Sequence, residues 1–494
     1  MQILNVRLFV LVGCLLWSVS GFSQQCGISG DTKIHIPANY DSFDPPALGK
    51  SYTDAIFGCQ ITRLTDSVHN PGTQTCTSGK CQGRHFYSTI VPDNVNHTLV
   101  AITLNGWPAL IAGPVSTYSS PGTIIVKQNK FPTQNLTSQE FVIWDIVDPL
   151  TFYYTAGNSF FMGKISGLPG CAPTSSCTVK STVLKTFAGY NSVSLMADED
   201  ISDDGLHYYL AGQRVGGMND ASCDSVTQVC DLFPITLNAT GGKATTATQG
   251  KITQSGAYWH KVQAAADNRV QLEALDGGDS FTEYNPNGTL FATLPTSHHD
   301  FLLNAANQDE VLVGPWSMGT RANVCPHLNG AGEVDTTSGV MLNCLLEVFI
   351  PGTSTYGIPP AFAPASHFST RDANHGWAIF EAESYGPGAC PNGSNPYCEP
   401  GVGGRTNMRS WGLYDGEIDA IKADGSQFLR LAHHRSRSGA GYWAGSRAVI
   451  TRDAQYIYFD SNFNDCTETC GSQKSTDDKS YTDLYVIKFS TAQP

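Results

Sequence analysis

Charge is what this sequence has least of. Only 15% of its 494 residues are Asp, Glu, Lys or Arg, against roughly 25% in ordinary soluble domains. That shortage excludes a coiled coil or long-helix protein, which would be rich in Glu, Lys, Ala and Leu. Positive charge is scarcer still: 29 Lys and Arg face 43 Asp and Glu, for a net charge of −14. A phosphate-backbone binder needs a basic face, so nucleic acid is excluded as a partner. Past the N-terminus there is no apolar run long enough to cross a membrane. There is no Walker loop and no Gly-x-Ser-x-Gly elbow, and His433-His434 lacks the Glu spacing of a zinc protease. The acidic run from Asp198 to Asp204 lacks the Gly and Glu positions of an EF-hand and reads as a solvated turn.

What is present points to strands. Apolar residues at 41% supply a sizeable core, which excludes a disordered chain. The 49 Gly, 20 Tyr and 23 Phe fit short strands joined by tight turns. The N-terminus has the layout of a secretory signal: Arg7, an apolar run from Leu8 to Trp17, then small residues to Ser23. Residues 1–23 are therefore expected to be a signal peptide, and residues 24–494 one mature domain. Losing Cys14 with the signal leaves an even 14 of the 15 cysteines. Close pairs recur at Cys76/Cys81, Cys171/Cys177, Cys223/Cys230, Cys390/Cys398 and Cys466/Cys470, with Cys325/Cys344 further apart and Cys26/Cys59 remaining. The expectation is seven disulfides clipping loops in a secreted or periplasmic, extracytoplasmic protein. Zinc is the alternative use of such pairs, but they lie scattered in separate Gly/Pro/Ser/Thr loops.

The chain also repeats itself. An extended apolar segment, an Asp or Asn turn and a second aliphatic and aromatic strand recur around Asp93, Asp148, Asp204, Asp267, Asn307, Asp372 and Asp453. Successive turns lie 40 to 81 residues apart. Two further hairpins, EYNPNGTLFATL and AIKADGSQFLRLAHH, read as outer strand pairs. The alternating segment Tyr481–Phe489 reads as a last strand completing the ring with the N-terminal segment. Each unit is a small antiparallel sheet that cannot bury both faces alone, and stacking the units round an axis buries them. The fold expected is all-β: a single β-propeller, seven-bladed, with disulfide-clipped loop insertions. Six or eight blades are the structural alternatives.

In such a ring the segment before each turn is the innermost strand, and its first residues lie near the central channel mouth. His85, His260, His299, His367 and Arg447 each stand five to eight residues before their turn. Histidine there suits metal ligation or proton transfer near neutral pH. It equally suits a structural bond to the turn Asp of its own blade. A second cluster, His433, His434, Arg435 and Arg437 followed by Tyr442 and Trp443, suits an anionic sugar: guanidinium for a carboxylate, aromatic ring for the sugar face. A solvated loop with a packed aromatic is the alternative.

The turn-centred repeat resembles the TolB/WD40-like bacterial propellers, whose unit reads Ser-Pro-Asp-Gly. Here the turns read Val-Pro-Asp-Asn, Ser-Asp-Asp-Gly, Ala-Ala-Asp-Asn and Thr-Arg-Asp-Ala. Among enzymes of this shape it is distantly similar to the oligogalacturonate lyases. Ser297-His298-His299-Asp300 matches that family's Ser-His metal site, whereas Gly445-Ser446-Arg447-Ala448-Val449 stands where the family carries His-Pro-His. The resemblance implies an extracellular glycan or protein ligand, and one divalent metal ion at the central channel with His299 and His367 as ligands. It implies His299, His367 and Arg447 as catalytic groups of a polysaccharide-lyase-like reaction. His85, His260, His433, His434, Arg435, Arg437, Tyr442 and Trp443 would bind the ligand. A non-catalytic, protein-binding or scaffold propeller with structural histidines is the competing expectation. In either case a monomer is expected.

Overall fold

The computed structural model describes residues 26–40, 43–70, 81–131, 142–174, 176–194, 201–202, 204–214, 230–240 and 243–249. It then describes 252–253, 261–264, 270–273, 280–284, 290–295, 299–303, 309–313, 324–326, 341–343, 365–372, 377–382, 411, 414–422, 427–436, 445–463 and 481–489. Apart from two 3-10 turns, every regular element among them is a strand.

The strands form antiparallel meanders in chain order. Ile143–Trp144, Thr151–Ala156, Ser159–Ser166 and Thr178–Thr186 make one four-stranded sheet. Lys261–Ala264, Val270–Glu273, Ser280–Tyr284 and Leu290–Pro295 make another. A further sheet runs Ala365–Asp372, Trp377–Ala382, Glu417–Lys422, Phe428–His433. Both sequence-read hairpins are present: Ser280 pairs with Pro295, and Ile421 with Phe428. Each repeat turn falls between the first and second strands of its meander, as with Asp148 and Asp453. Asp267 and Asn307 lie outside the described residues, although the strands flanking them pair as expected.

Why these strands read as almost continuous apolar runs follows from the packing. Leu99–Leu104 is buried at all six positions. Leu99 and Ala101 join Trp144, Phe152 and Tyr154 of the next sheet, while Val100 and Ile102 join Val449, Tyr458 and Leu484 of the last. Tyr153 and Phe160 turn the opposite way, onto Tyr208, Leu210 and Phe233. Trp377, Ile379 and Ile418 meet Ile450, Ile457 and Tyr485. Successive side chains alternate between faces, and each face has a different sheet as its neighbour. Sheets packed in this way stand side by side round an axis, and the chain is a β-propeller.

The ring closes through the chain ends. Thr482–Lys488 pairs on one side with Tyr456–Ser461 and on the other with Gln60–Arg63 near the N-terminus. Arg63 locks this seam. It donates from Nη2 to Asp483 Oδ2 at 2.5 Å, and Asp483 Oδ1 accepts from Thr65 Oγ1 and the Ser67 amide, each at 2.9 Å. Upstream, Ile28–Ser29 adds an edge strand to Phe428–His433 of the neighbouring sheet. Residues 26–63 therefore strap two sheets together. Asn105 and Gly106, at φ +52° and +83°, turn the Leu104–Trp107 hairpin in the left-handed conformation that an Asn-Gly pair tolerates.

The Cys26–Cys59 and Cys171–Cys177 disulfides form as the spacing suggests. Cys81 is also disulfide-bonded. Cys76, Cys223, Cys344, Cys390, Cys398, Cys466 and Cys470 lie outside the described residues. No described helix is long and apolar enough to cross a membrane.

Candidate functional site

His85, His367 and Arg447 come together. His85 follows the short strand Gln82–Arg84, His367 lies on Ala365–Asp372, and Arg447 precedes Val449–Ile450. All three are buried, at 0%, 3% and 1% exposure. The groups that join them are two acids that the repeat pattern did not single out.

Glu381 ends the strand beside His367, and its carboxylate is encircled by donors. Oε1 accepts from His367 Nδ1 at 3.0 Å and from the Arg447 amide at 2.7 Å. Oε2 accepts from the Ala448 amide at 2.9 Å and from the Ser446 hydroxyl. Because a carboxylate only accepts, His367 Nδ1 is the donor in this pair. Asp460 lies beside His85 but bonds its backbone rather than its ring, whose donor is Nε2. Its Oδ1 lies 2.9 Å from His85 Nδ1 and accepts the His85 amide at 3.2 Å.

Arg447 stands between these two pairs. Its backbone is left-handed at φ +43°, a conformation that costs a non-glycine residue about 1 kcal/mol or more. The surroundings hold it there: Glu381 takes its N–H, and its carbonyl accepts from His85 Nε2 at 2.7 Å. The edge of the Tyr87 ring meets His367 at 5.1 Å between centroids. One hydrogen-bonded chain thus runs from His367 through Glu381 and Arg447 to His85 and Asp460, joining the sheet of Ala365–Asp372 to the sheet that holds Val449–Ile450 and Gln82–Arg84.

A signal for both acids is visible in the sequence. Trp377-Ala378-Ile379-Phe380-Glu381 and Tyr456-Ile457-Tyr458-Phe459-Asp460 each place an acid directly after Phe at the end of a second strand. A lone carboxylate closing an otherwise apolar buried strand requires a partner.

His299 opens the strand His299–Leu303, but its side chain lies outside the described residues. Its neighbour Asp300 is buried. It accepts from the Thr370 amide at 2.7 Å and from the Arg371 guanidinium, clamping this strand to the one bearing His367. His260, Arg437, Tyr442 and Trp443 lie outside the described residues. No set of three or more metal-ligating side chains is arranged to hold an ion among the described residues.

The structure places the second cluster elsewhere. His433 ends the fourth strand of its sheet, three strands and about 14 Å from the first. It is buried beneath the N-terminal strap, with Nδ1 3.2 Å from Asp54 Oδ2. Burial works against ionisation of Asp54, but the His433 ring and amide hold its carboxyl below the usual carboxylate range. His434 is buried as well, its Nδ1 accepting from the Ser436 amide. The Arg435 guanidinium lies 4.1 Å from the centre of the Phe43 ring. His433 and Arg435 anchor the strap.

His97 emerges as a further histidine, inside the first repeat turn. Nδ1 is 2.6 Å from Asp93 and Nε2 is 2.7 Å from Asp453, so one imidazole bridges the turns of the first and last sheets. Burial opposes its charge, but the two carboxylates outweigh burial and push it up to about 10.

No known family matches the chain, and no curated protein is significantly similar to it. Similar solved structures include hydrazine synthase from Kuenenia stuttgartiensis, at 10% identity over 81% of this chain and 97% of that one, with a TM-score of 0.38. Another is virginiamycin B lyase from Staphylococcus aureus, as a catalytically inactive variant with quinupristin. It is 9% identical over 87% of this chain and 98% of that one, with a TM-score of 0.39. The fold assignment rests on the sheet order and ring closure above, and no function is carried across from these proteins.

Proposed function

We propose a secreted, seven-bladed propeller, with residues 1–23 removed as a signal, that binds an acidic saccharide at the channel mouth and acts on it in a lyase-like way. The observation that supports this reading is the hydrogen-bonded chain joining His367, Arg447 and His85 at the heads of neighbouring first strands. With Nδ1 committed to Glu381, His367 offers Nε2 as the base that removes the proton next to a uronate carboxylate. Arg447 neutralises that carboxylate, whose developing dianion is otherwise too costly. The glycosidic C–O bond on the adjacent carbon then breaks, a C=C bond forms, and the leaving oxygen takes up a proton. His367 Nε2 has one lone pair, so the proposed divalent ion held by His299 and His367 is the alternative use of that nitrogen, and Glu381 is the kind of partner that orients a ligating histidine.

The near-complete burial of His85, His367 and Arg447 favours a second reading, a non-catalytic scaffold with structural histidines. The test is binding and product formation with pectic, alginate and ulvan oligomers, alongside metal analysis of the purified protein. Saturable binding lost in His367→Gln and Arg447→Met, with unsaturated uronate products from the wild type, supports the first reading. No binding, no product and no metal leaves the scaffold.

A further inference from the structure

The N-terminal strap is gripped by a buried ionic cluster that has one carboxyl group too many. Arg430, on the strand Phe428–His433, reaches in two directions. Nε and Nη2 grip Glu417 at 2.7 and 2.5 Å, while Nη1 donates to the carbonyls of Asp31 and Lys33 in the strap, at 3.2 and 2.7 Å. Its guanidinium lies 5.2 Å from the Phe57 ring centre and 4.9 Å from that of Tyr414. Asp419 pairs directly across the sheet from Arg430, with Phe380 on its other side. The Asp419 carboxyl is fully buried, yet neither of its oxygens has a hydrogen-bond partner among the described residues. Arg430, the cation opposite it, is committed to Glu417, two residues away on the same face of the same strand.

The charges decide what Asp419 must be. Glu417 and Arg430 cancel, so an ionised Asp419 would leave a net negative charge sealed in the protein, which is strongly disfavoured. The other polar groups around the cluster do not supply a cation to Asp419. Tyr414 is neutral, and His35 is spent on Asp31 at 2.6 Å. His433 is engaged by Asp54 and lies 3.9 Å from Glu417. Burial, reinforced by the nearby Glu417 charge, accordingly pushes the Asp419 carboxyl well above its usual range.

We propose that Asp419 is a proton-linked release for the strap: when it ionises, Arg430 turns toward it and lets go of the Asp31 and Lys33 carbonyls. The proton leaves to solvent, and no other bond changes. Because the folded protein holds this proton more tightly than the unfolded chain, the clamp is complete while Glu417 is ionised and Asp419 is protonated, and it weakens as pH rises through the Asp419 titration. The Cys26–Cys59 disulfide keeps the loosened segment tethered at both ends.

Hydrogen exchange of the strap amides between Ser29 and His35, corrected for intrinsic pH dependence, tests this on the full disulfide-bonded chain. Wild type is expected to lose at least tenfold protection as pH is raised from mildly acid to alkaline, and Asp419→Asn less than twofold over the same range. Glu417→Gln, which weakens the Arg430 grip and removes a charge that helps Asp419 keep its proton, should loosen the strap at lower pH than in wild type. A wild type with no pH response overturns the proposal even if Asp419→Asn fails to fold. An Asp419→Asn protein that folds and keeps the tenfold response also overturns it, because the release would then belong to His35 or His433.

Discussion

Replacing His97 with Asn should weaken the ring seam by about 2–3 kcal/mol at pH 6, and by progressively less as pH rises. Asn is the informative substitution because His97 sits at φ +56°, a left-handed conformation that Asn tolerates better than other non-glycine residues. The change therefore removes the charge bridge with little backbone effect. The ring moves from an ordinary value of 6.5 to about 10, which would be worth about 5 kcal/mol if all of it reported stability. Two features reduce that figure. Burial pushes the Asp93 carboxyl up as well, which opposes the pair, and Asp453 is partly exposed and screened by solvent. The imidazolium still prevails, because it faces two carboxylates and holds Asp453 low.

The sign follows from the direction of the shift. A group whose folded value is raised contributes fully below its unfolded value near 6.5, and the contribution is lost as pH rises through about 10. Urea denaturation followed by tryptophan fluorescence, from pH 6 to 10.5, reads the gap between wild type and His97→Asn. The gap should shrink to under about 1 kcal/mol at the alkaline end, as the linkage requires. A gap that stays flat across that range, or one below about 0.5 kcal/mol at pH 6 as for a surface pair, would refute the reasoning.

Three further outcomes can be measured on the same protein. Removing the Cys26–Cys59 disulfide, which spans 33 residues, should cost about 3–4 kcal/mol by loop-closure entropy, and removing Cys171–Cys177, which spans 6, about 2 kcal/mol. Equal losses in denaturant midpoints would contradict that ordering. Asp483→Ala should cost about 2–4 kcal/mol, because it removes the nearer carboxylate of the buried Arg63 guanidinium and leaves it Asp66, at 3.3 Å. A near-neutral thermal shift would mean that this knot does not close the ring. Glu381→Gln should cost about 2–4 kcal/mol, since an amide cannot accept from all four donors now facing the carboxylate. It should also change the protonated nitrogen of His367, read by nitrogen NMR. An unchanged tautomer would remove Glu381 from any positioning role.

How far the sequence could reach is set by the range of the interactions concerned. Turns and strand pairs are local, so the repeat around Asp93, Asp148 and Asp453 located the boundaries between first and second strands correctly. The apolar Leu99–Leu104 run likewise implied burial on both faces. The choice of histidines was only partly legible, because a strand-head histidine looks the same whether it meets an acid or a ligand. His85 and His367 do converge with Arg447, but through Glu381 and Asp460, which lie on other strands and are brought close only by the stacking of sheets. His433 and Arg435 looked like a ligand clamp because their partners, Asp54 and Phe43, lie almost 400 residues away. Such long-range pairs leave no periodic trace. The acids do leave one: in a chain this poor in charge, a carboxylate at the end of an aromatic strand cannot remain unpaired when buried. Glu381 and Asp460 break an apolar strand in the same place, and each marks where a neighbouring sheet must deliver donors. That rule applies equally to Asp419, which breaks the Glu417–Lys422 strand but has no donor delivered to it among the described residues. Its burial therefore pushes its carboxyl well above the usual carboxylate range.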